Sequence, residues 1–482
     1  MPEARMSLRQ LVDLPGPPTL PLLGNIHQIK PDRVHRIVEQ WCVQYGDFFR
    51  MSLGPATILV VADHVAISAI LRDRPGGYRR PGVTEKVSRE MGGIPGVFLA
   101  EGEDWRNQRR MVMAALSPAA VKAYFPSLVK VALRLQRRWN EAVISQTEID
   151  LSDDLKRYTV DIIAGLAFGT DVNTIASGED RIQHHLDLIL PMIARRSLAM
   201  IPYWRYLKLP SDRRLDRSVL ALKTAIGELI AGAHERLDAD PDLRTHPANL
   251  LEAMLVAASE PDSGVTDQTV SCNVTTMLLA GEDTTANTIS WMLYLLHAHP
   301  EALRLAQQEV RRVAPDPAAY TIEQMDALDY VDACAQEAMR LKPVAPYMPV
   351  EALRDSVIGD IAVPAGTLLW CVLRHHSVDE RFFVAASSFN PQRWLDDGAG
   401  IAADKRIAMP FGAGVRTCPG RYLALLEIKM AISLILGQFE LASVHTDDGQ
   451  EPRELMAFVM SPVGLRMRLQ PRHDQPGGEP AG

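Results

Sequence analysis

Apolar residues recur along most of the chain at the three- and four-residue spacing of helices with one buried face, and only a few stretches alternate every second residue as strands do. The longest helical run lies between Thr266 and His299, with apolar positions at 270, 274, 277, 278, 281, 289, 292, 293 and 296. Thr266 is placed to cap it, Val265 and Val270 to staple its first turn, and Pro300 to stop it. At 1.5 Å per residue such a helix spans about 50 Å, enough to cross a domain. Other helical patterns fall at residues 64–73, 105–116, 119–139, 218–237, 300–313, 330–343 and 421–436. Strand patterns fall at 47–53 and 57–62, separated by Gly54-Pro55, and again at 347–353, 356–363 and 366–373. Residues 74–103, with seven glycines and three prolines, read as a loop, and the apolar cluster Val97, Phe98 and Leu99 at its far end suits a ligand site.

Two places break these patterns. The middle of the long helix reads AGEDTTANT between LLA and ISWMLYLL. Burying those polar groups unpaired would cost roughly 2–7 kcal/mol each, so they must be paired or must border a wet cavity. The second place is FGAGVRTCPG, residues 411–420. There a cysteine sits among glycines, beside an arginine, just before an apolar-periodic helix for which Pro419 suits the first position. Backbone amides, the positive end of a helix dipole and Arg416 would all stabilise a thiolate at Cys418, and a thiolate is a metal ligand. No Gly-Lys-Ser/Thr follows, which excludes a phosphate loop, and the third glycine of a dinucleotide fingerprint is missing.

Composition narrows the class further. The 482 residues are 47% hydrophobic, ample for a large core, and 51 basic against 59 acidic side chains leave a formal charge of −8, which offers no electrostatic case for nucleic-acid binding. Cys42, Cys272, Cys334, Cys371 and Cys418 are scattered, with no CxxC pair, as in a protein of a reducing compartment. The charged N-terminal residues carry neither a signal-peptide core nor a membrane span, so a cytoplasmic protein without an anchor is expected. The last residues, 471–482, are expected to be disordered.

The cysteine stretch resembles the signature of the cytochrome P450 family, Phe-Gly-x-Gly-x-Arg-x-Cys-x-Gly, matched by Phe411, Gly412, Gly414, Arg416, Cys418 and Gly420. Three further motifs resemble the same family in the same order. Trp105 and Arg109 match a Trp-x-x-x-Arg helix that holds a haem propionate. Ala280, Gly281, Asp283, Thr284 and Thr285 match Ala/Gly-Gly-x-Asp/Glu-Thr-Thr. Glu337 and Arg340 match Glu-x-x-Arg, with Arg393 of FNPQRW where a third charged partner is expected.

The resemblance implies a mainly α fold with a small β-rich lobe, one large domain over residues 15–470 after a short extension at 1–14, and haem b between the long central helix and the helix after Cys418. Cys418 would ligate iron, with Trp105, Arg109, Arg416, Phe411, Gly412, Ala280, Gly281 and Gly420 around the haem. Gly281 would let the helix pass close to the porphyrin, and Asp283 and Thr284 would deliver protons to dioxygen chemistry. Glu337, Arg340 and Arg393 would form a structural network. Val97, Phe98, Val344 and Ala345 would line the pocket for an apolar substrate, under a lid at about residues 180–215. The implied activity is insertion of one oxygen atom from dioxygen, with electrons from a separate ferredoxin- or flavodoxin-type protein and its reductase. A peroxygenase or isomerase of the same fold and a haem-based sensor are the alternatives, against which the Asp283–Thr284 pair argues. One departure stands out: Val350 occupies the place where many relatives carry a propionate-binding arginine, and Arg354 is a weak substitute.

Overall fold

The computed structural model describes residues 8–92, 95–169, 172–177, 181–197, 199, 201–395 and 405–472, so most of the stretch expected to be a disordered tail lies outside the described residues. Its helices are α1 (Val34–Tyr45), α2 (His64–Arg72), α3 (Gly82–Glu90), α4 (Gly102–Ala115), α5 (Pro118–Ser145), α6 (Leu151–Phe168), α7 (Thr174–Ser177), α8 (Arg181–Ser197), α9 (Pro210–Ala239), α10 (Leu250–Ser259), α11 (Asp267–Ala298), α12 (Pro300–Val313), α13 (Ile322–Asp326), α14 (Asp329–Leu341) and α15 (Arg421–Gln438). The strands are β1 (Phe48–Leu53), β2 (Ala56–Val61), β3 (Tyr78–Arg79), β4 (Ile149–Asp150), β5 (Tyr347–Ala352), β6 (Ser356–Ile358), β7 (Ile361–Val363), β8 (Leu368–Val372), β9 (Phe439–His445), β10 (Glu454–Met456), β11 (Met460–Pro462) and β12 (Arg466–Pro471). The expected helices are present, and the run at 82–90 that reads as loop is instead α3, a short helix with Val87 as its one buried side chain. A nine-residue helix with so small an apolar stripe leaves little periodic signal in the sequence.

α11 runs 32 residues, and the Thr266 hydroxyl caps it by accepting from the Thr269 amide. It packs along α6 and against α14 and α15, and its C-terminal half contributes Ile289, Met292 and Leu293 to one continuous core with Trp139, Tyr158 and Ile435. The β-rich lobe is a five-stranded sheet in the order β1-β2-β8-β5-β3, antiparallel except where β2 lies parallel to β8. Val350 lies on β5 with no exposed surface, inside the apolar cluster beneath that sheet. Among the described residues no single helix is both long and apolar enough to cross a membrane.

The Glu337 carboxylate joins helix to loop. It accepts from Arg340 Nε and Nη2 at 2.7 Å each, from Arg393 Nε at 3.1 Å, from Trp394 Nε1 at 2.9 Å and from the Asn390 amide at 2.9 Å. Arg340 also donates to the carbonyls of Ser377, Ala386 and Ser388. The side chains of Glu337, Arg340 and Arg393 have no exposed surface. Breaking such a buried pair by removing one partner typically costs about 3–5 kcal/mol because the other charge is stranded. Glu337→Ala is therefore expected to lose about that much in urea denaturation, whereas Arg354→Ala, which removes a largely exposed pair with Asp73, should change stability by under about 1 kcal/mol. Equal effects would remove the network from this role.

Candidate active site

Residues 411–420 fold back on themselves in front of α15. The Cys418 amide donates to the Phe411 carbonyl at 2.9 Å and the Thr417 hydroxyl donates to the same carbonyl at 3.2 Å. Gly414 takes φ +73°, and a Cβ there would come 2.8 Å from Arg72 Cα, so only glycine lets the loop lie against the end of α2. α15 starts at Arg421 with Gly420 as N-cap, so Pro419 precedes the helix and does not open it as its sequence position suggests. The Gly420 amide still serves the thiol. Burial pushes Cys418 above its ordinary value, while the Gly420 N–H and the Arg109 guanidinium pull it back. Cys42 and Cys334 sit near carboxylates that push them up in the same direction as burial.

The cation nearest the thiol is Arg109, whose Nη2 donates to the Thr417 carbonyl at 2.8 Å. Arg416, expected to serve Cys418 from two residues away, turns aside. Its Nη2 donates to Glu101 at 2.5 Å and to the Ala100 carbonyl at 2.8 Å, and its guanidinium lies 4.5 Å from the centre of the buried Trp105 ring. Desolvation, followed by Arg74 and Arg416, pulls Arg80 down as well. Three guanidiniums, those of Arg74, Arg80 and Arg416, thus share one nearby carboxylate, Glu101. Sequence patterns single out none of Arg74, Arg80 and Glu101, since each falls in a loop with no motif of its own. Phe411 packs its ring 5.6 Å from the Arg421 guanidinium, and Gly412 takes φ +73° with nothing near its Cα substituent position.

α11 changes character between residues 279 and 284: Ala280 is exposed and Gly281, Asp283 and Thr284 are half-buried, whereas 285–293 are buried. These partly exposed positions interrupt an otherwise largely buried helix. The Thr284 hydroxyl donates to the Ala280 carbonyl at 2.7 Å, and the Asp283 carboxylate pairs with Lys156 of α6 at 2.9 Å. A Cβ on Gly281 would come 2.6 Å from Ile163 Cδ1, so packing against α6 requires its small size.

At the mouth of this region the Val97 amide donates to Asn273 Oδ1 of α11 at 2.8 Å, and Asn273 Nδ2 donates to Gln108 of α4 at 2.9 Å. Phe98 lies under the Arg80 guanidinium at 3.4 Å and 5.8 Å from the Phe458 ring. Val344 and Ala345 are half-buried, and the Val344 carbonyl accepts from the Met460 amide at 2.8 Å. Phe458 was not legible as a site residue because it belongs to a hairpin turn more than a hundred residues from the other pocket candidates.

The donor set has a definite chemical complement. Arg416 Nε is buried without a hydrogen-bond partner among the described residues, and the cations around Glu101 outnumber it. A group that carries carboxylates for the guanidiniums and a metal for the Cys418 thiolate complements these donors, and haem has those features. The comparisons with known proteins agree. The family model "Cytochrome P450" matches residues 14–469. The chain is 27% identical over 403 residues to the cyclooctat-9-en-7-ol 5-monooxygenase of Streptomyces melanosporofaciens, covering 83% of each protein. It is also 27% identical over 478 residues to a self-sufficient cytochrome P450 monooxygenase of Phanerodontia chrysosporium, covering 96% of this chain but 43% of that one. Against several such self-sufficient relatives it spans less than half their length. The crystal structure of the cytochrome P450DA heme domain superposes with a TM-score of 0.82 at 23% identity, over 97% of this chain and 99% of that one, which shows the shared fold.

Glu427 of α15 is fully enclosed; burial pushes its carboxyl up to about 8, and the Thr285 hydroxyl of α11 opposes that shift. The folded chain therefore keeps a proton that the unfolded chain releases near 4.5. Between those two values the folded state binds more protons, so stability falls as pH rises, by roughly 1.4 kcal/mol per pH unit, and the loss is complete above the folded value. Glu427→Gln should flatten the decline in urea stability between about pH 5 and pH 8; an unchanged slope would mean that this carboxyl is charged in the fold.

Proposed function

We propose that this chain, which belongs to the cytochrome P450 family, is a monooxygenase that inserts one oxygen atom of dioxygen into an apolar small molecule, with Cys418 as the iron ligand. When bound, haem b supplies reductive activation of dioxygen and transfer of one oxygen atom, consuming two electrons and two protons and releasing water. The protein's own residues supply the rest. The observation that carries this reading is the opening of α11 at Ala280 to Thr284 beside the helix that follows Cys418.

Cys418 is suited to hold iron because an amide and a cation favour its thiolate, and iron would complete the deprotonation that burial opposes. Thr284 Oγ1 has its proton on the Ala280 carbonyl, which leaves its lone pairs to order a water. Asp283, half-buried and paired with Lys156, connects that water to solvent protons. Phe98, Val97 and Phe458 favour an apolar substrate and exclude bulk water. A separate electron donor is favoured by Arg106 and Arg110, which are exposed on α4, the helix whose Arg109 touches the Cys418 loop. Such a basic face attracts an acidic redox protein.

Two measurements test these roles. Cys418→Ala should abolish the red-shifted Soret band of the reduced carbon monoxide complex, while Cys272→Ala keeps it; retention in Cys418→Ala would reassign the ligand. Thr284→Ala should bind substrate and consume reductant at a near-normal rate, with product per reductant reduced at least about tenfold and hydrogen peroxide released in its place. Unchanged coupling would take Thr284 out of proton delivery and favour the peroxygenase or sensor alternatives.

A further inference from the structure

A guanidinium buried without acceptors is costly, and the fold contains one. Arg74, in the loop after α2, keeps 4% of its surface exposed. Its Nε and Nη2 find no hydrogen-bond partner among the described residues, and Nη1 makes only a weak contact with Met348 Sδ at 3.6 Å. The nearby acids are committed elsewhere. Glu101 accepts from Arg416 and from the Arg80 amide, Glu351 from Arg79 and the Gly82 amide, and Asp73 from Arg354, which therefore faces the surface and does not stand in for the missing arginine. Cys371, the remaining ionisable neighbour, is pushed up to about 12 by burial and stays a neutral thiol. Three guanidiniums against one carboxylate leave two buried positive charges and free donors at one wall of the site.

We infer that Arg74 is a ligand for a carboxylate of the haem, donating from Nε and Nη2 to a propionate and taking the part that Val350 of β5 cannot play. Met348 stands two residues before Val350 on the same face of β5, so Arg74 brings its charge to that strand from a loop almost three hundred residues away in the chain. Two propionates carry the two negative charges that the cluster lacks. The inference rests on haem occupying the site proposed above. The shared chemistry is a buried carboxylate, for which a carboxylic acid substrate is the other source.

The test uses the full-length holoprotein, with haem replaced in a parallel sample by its dimethyl ester, whose propionates carry no charge. The rate of porphyrin transfer to apomyoglobin is measured for the wild type, Arg74→Leu and Arg74→Lys. The wild type should release the ester faster than haem. Arg74→Leu should release haem about tenfold or more faster while its ester rate barely changes, so that the preference for haem shrinks by a similar factor. Arg74→Lys, which keeps the charge and protects the test against a leucine variant that does not fold, should lie between them. Equal acceleration of haem and ester, or no acceleration in either variant, would overturn the inference. So would an unchanged preference accompanied by weaker binding of lauric acid, read from the Soret shift, since the carboxylate would then be the substrate's. Absence of the red-shifted carbon monoxide band in the wild type would instead count against the thiolate-haem reading itself.

Discussion

Five hydrogen bonds converge on the carboxylate of Glu337, and none of the three charged groups in that network touches water. A charge buried this deeply is tolerable only when every lone pair is taken, and taking them all requires α14, the carbonyls of residues 377–388 and the turn at 390–394 to meet at one point. That requirement orders a long stretch that has little regular structure of its own.

The opposite imbalance prevails on the other side of the site. Around Glu101 the cations outnumber the anions, and buried donors lack acceptors. A folded chain would not retain such an arrangement for stability alone, because each unpaired guanidinium lowers it. On the inference drawn above, the imbalance is half of a contact whose other half is the dianionic edge of haem. Stability and cofactor binding are then coupled, since the bound group relieves the repulsion among Arg74, Arg80 and Arg416.

Between these two regions α11 reconciles crossing a core with carrying a partly exposed polar stretch. Its hydroxyls at Thr275, Thr276, Thr284 and Thr288 each donate to the carbonyl four residues back, so polar side chains are satisfied within the helix. The helix can thus carry threonines through an apolar surrounding and still present an oxygen at Thr284. Relatives that are self-sufficient continue well beyond the length matched here, and relatives such as the Streptomyces monooxygenase are of similar length. Electron supply therefore varies within the family while the haem-binding part keeps its fold.

The sequence by itself determined many of the helices and the strands β1, β2 and β5–β8, and it singled out Cys418 as the candidate thiol, because helical spacing, prolines and glycines act over a few residues and leave a local record. α11 with its Thr266 cap and the pairing of Glu337 with Arg340 were legible for that reason. Only the tertiary structure decided which cation lies beside Cys418, that Gly281 is small for the sake of Ile163, and that Arg74 is buried without a partner. These facts depend on segments far apart in the chain, such as Arg416 and Glu101 at a separation of 315 residues. Long side chains like arginine choose among partners by three-dimensional proximity and desolvation, and neither quantity is written in the order of neighbouring residues.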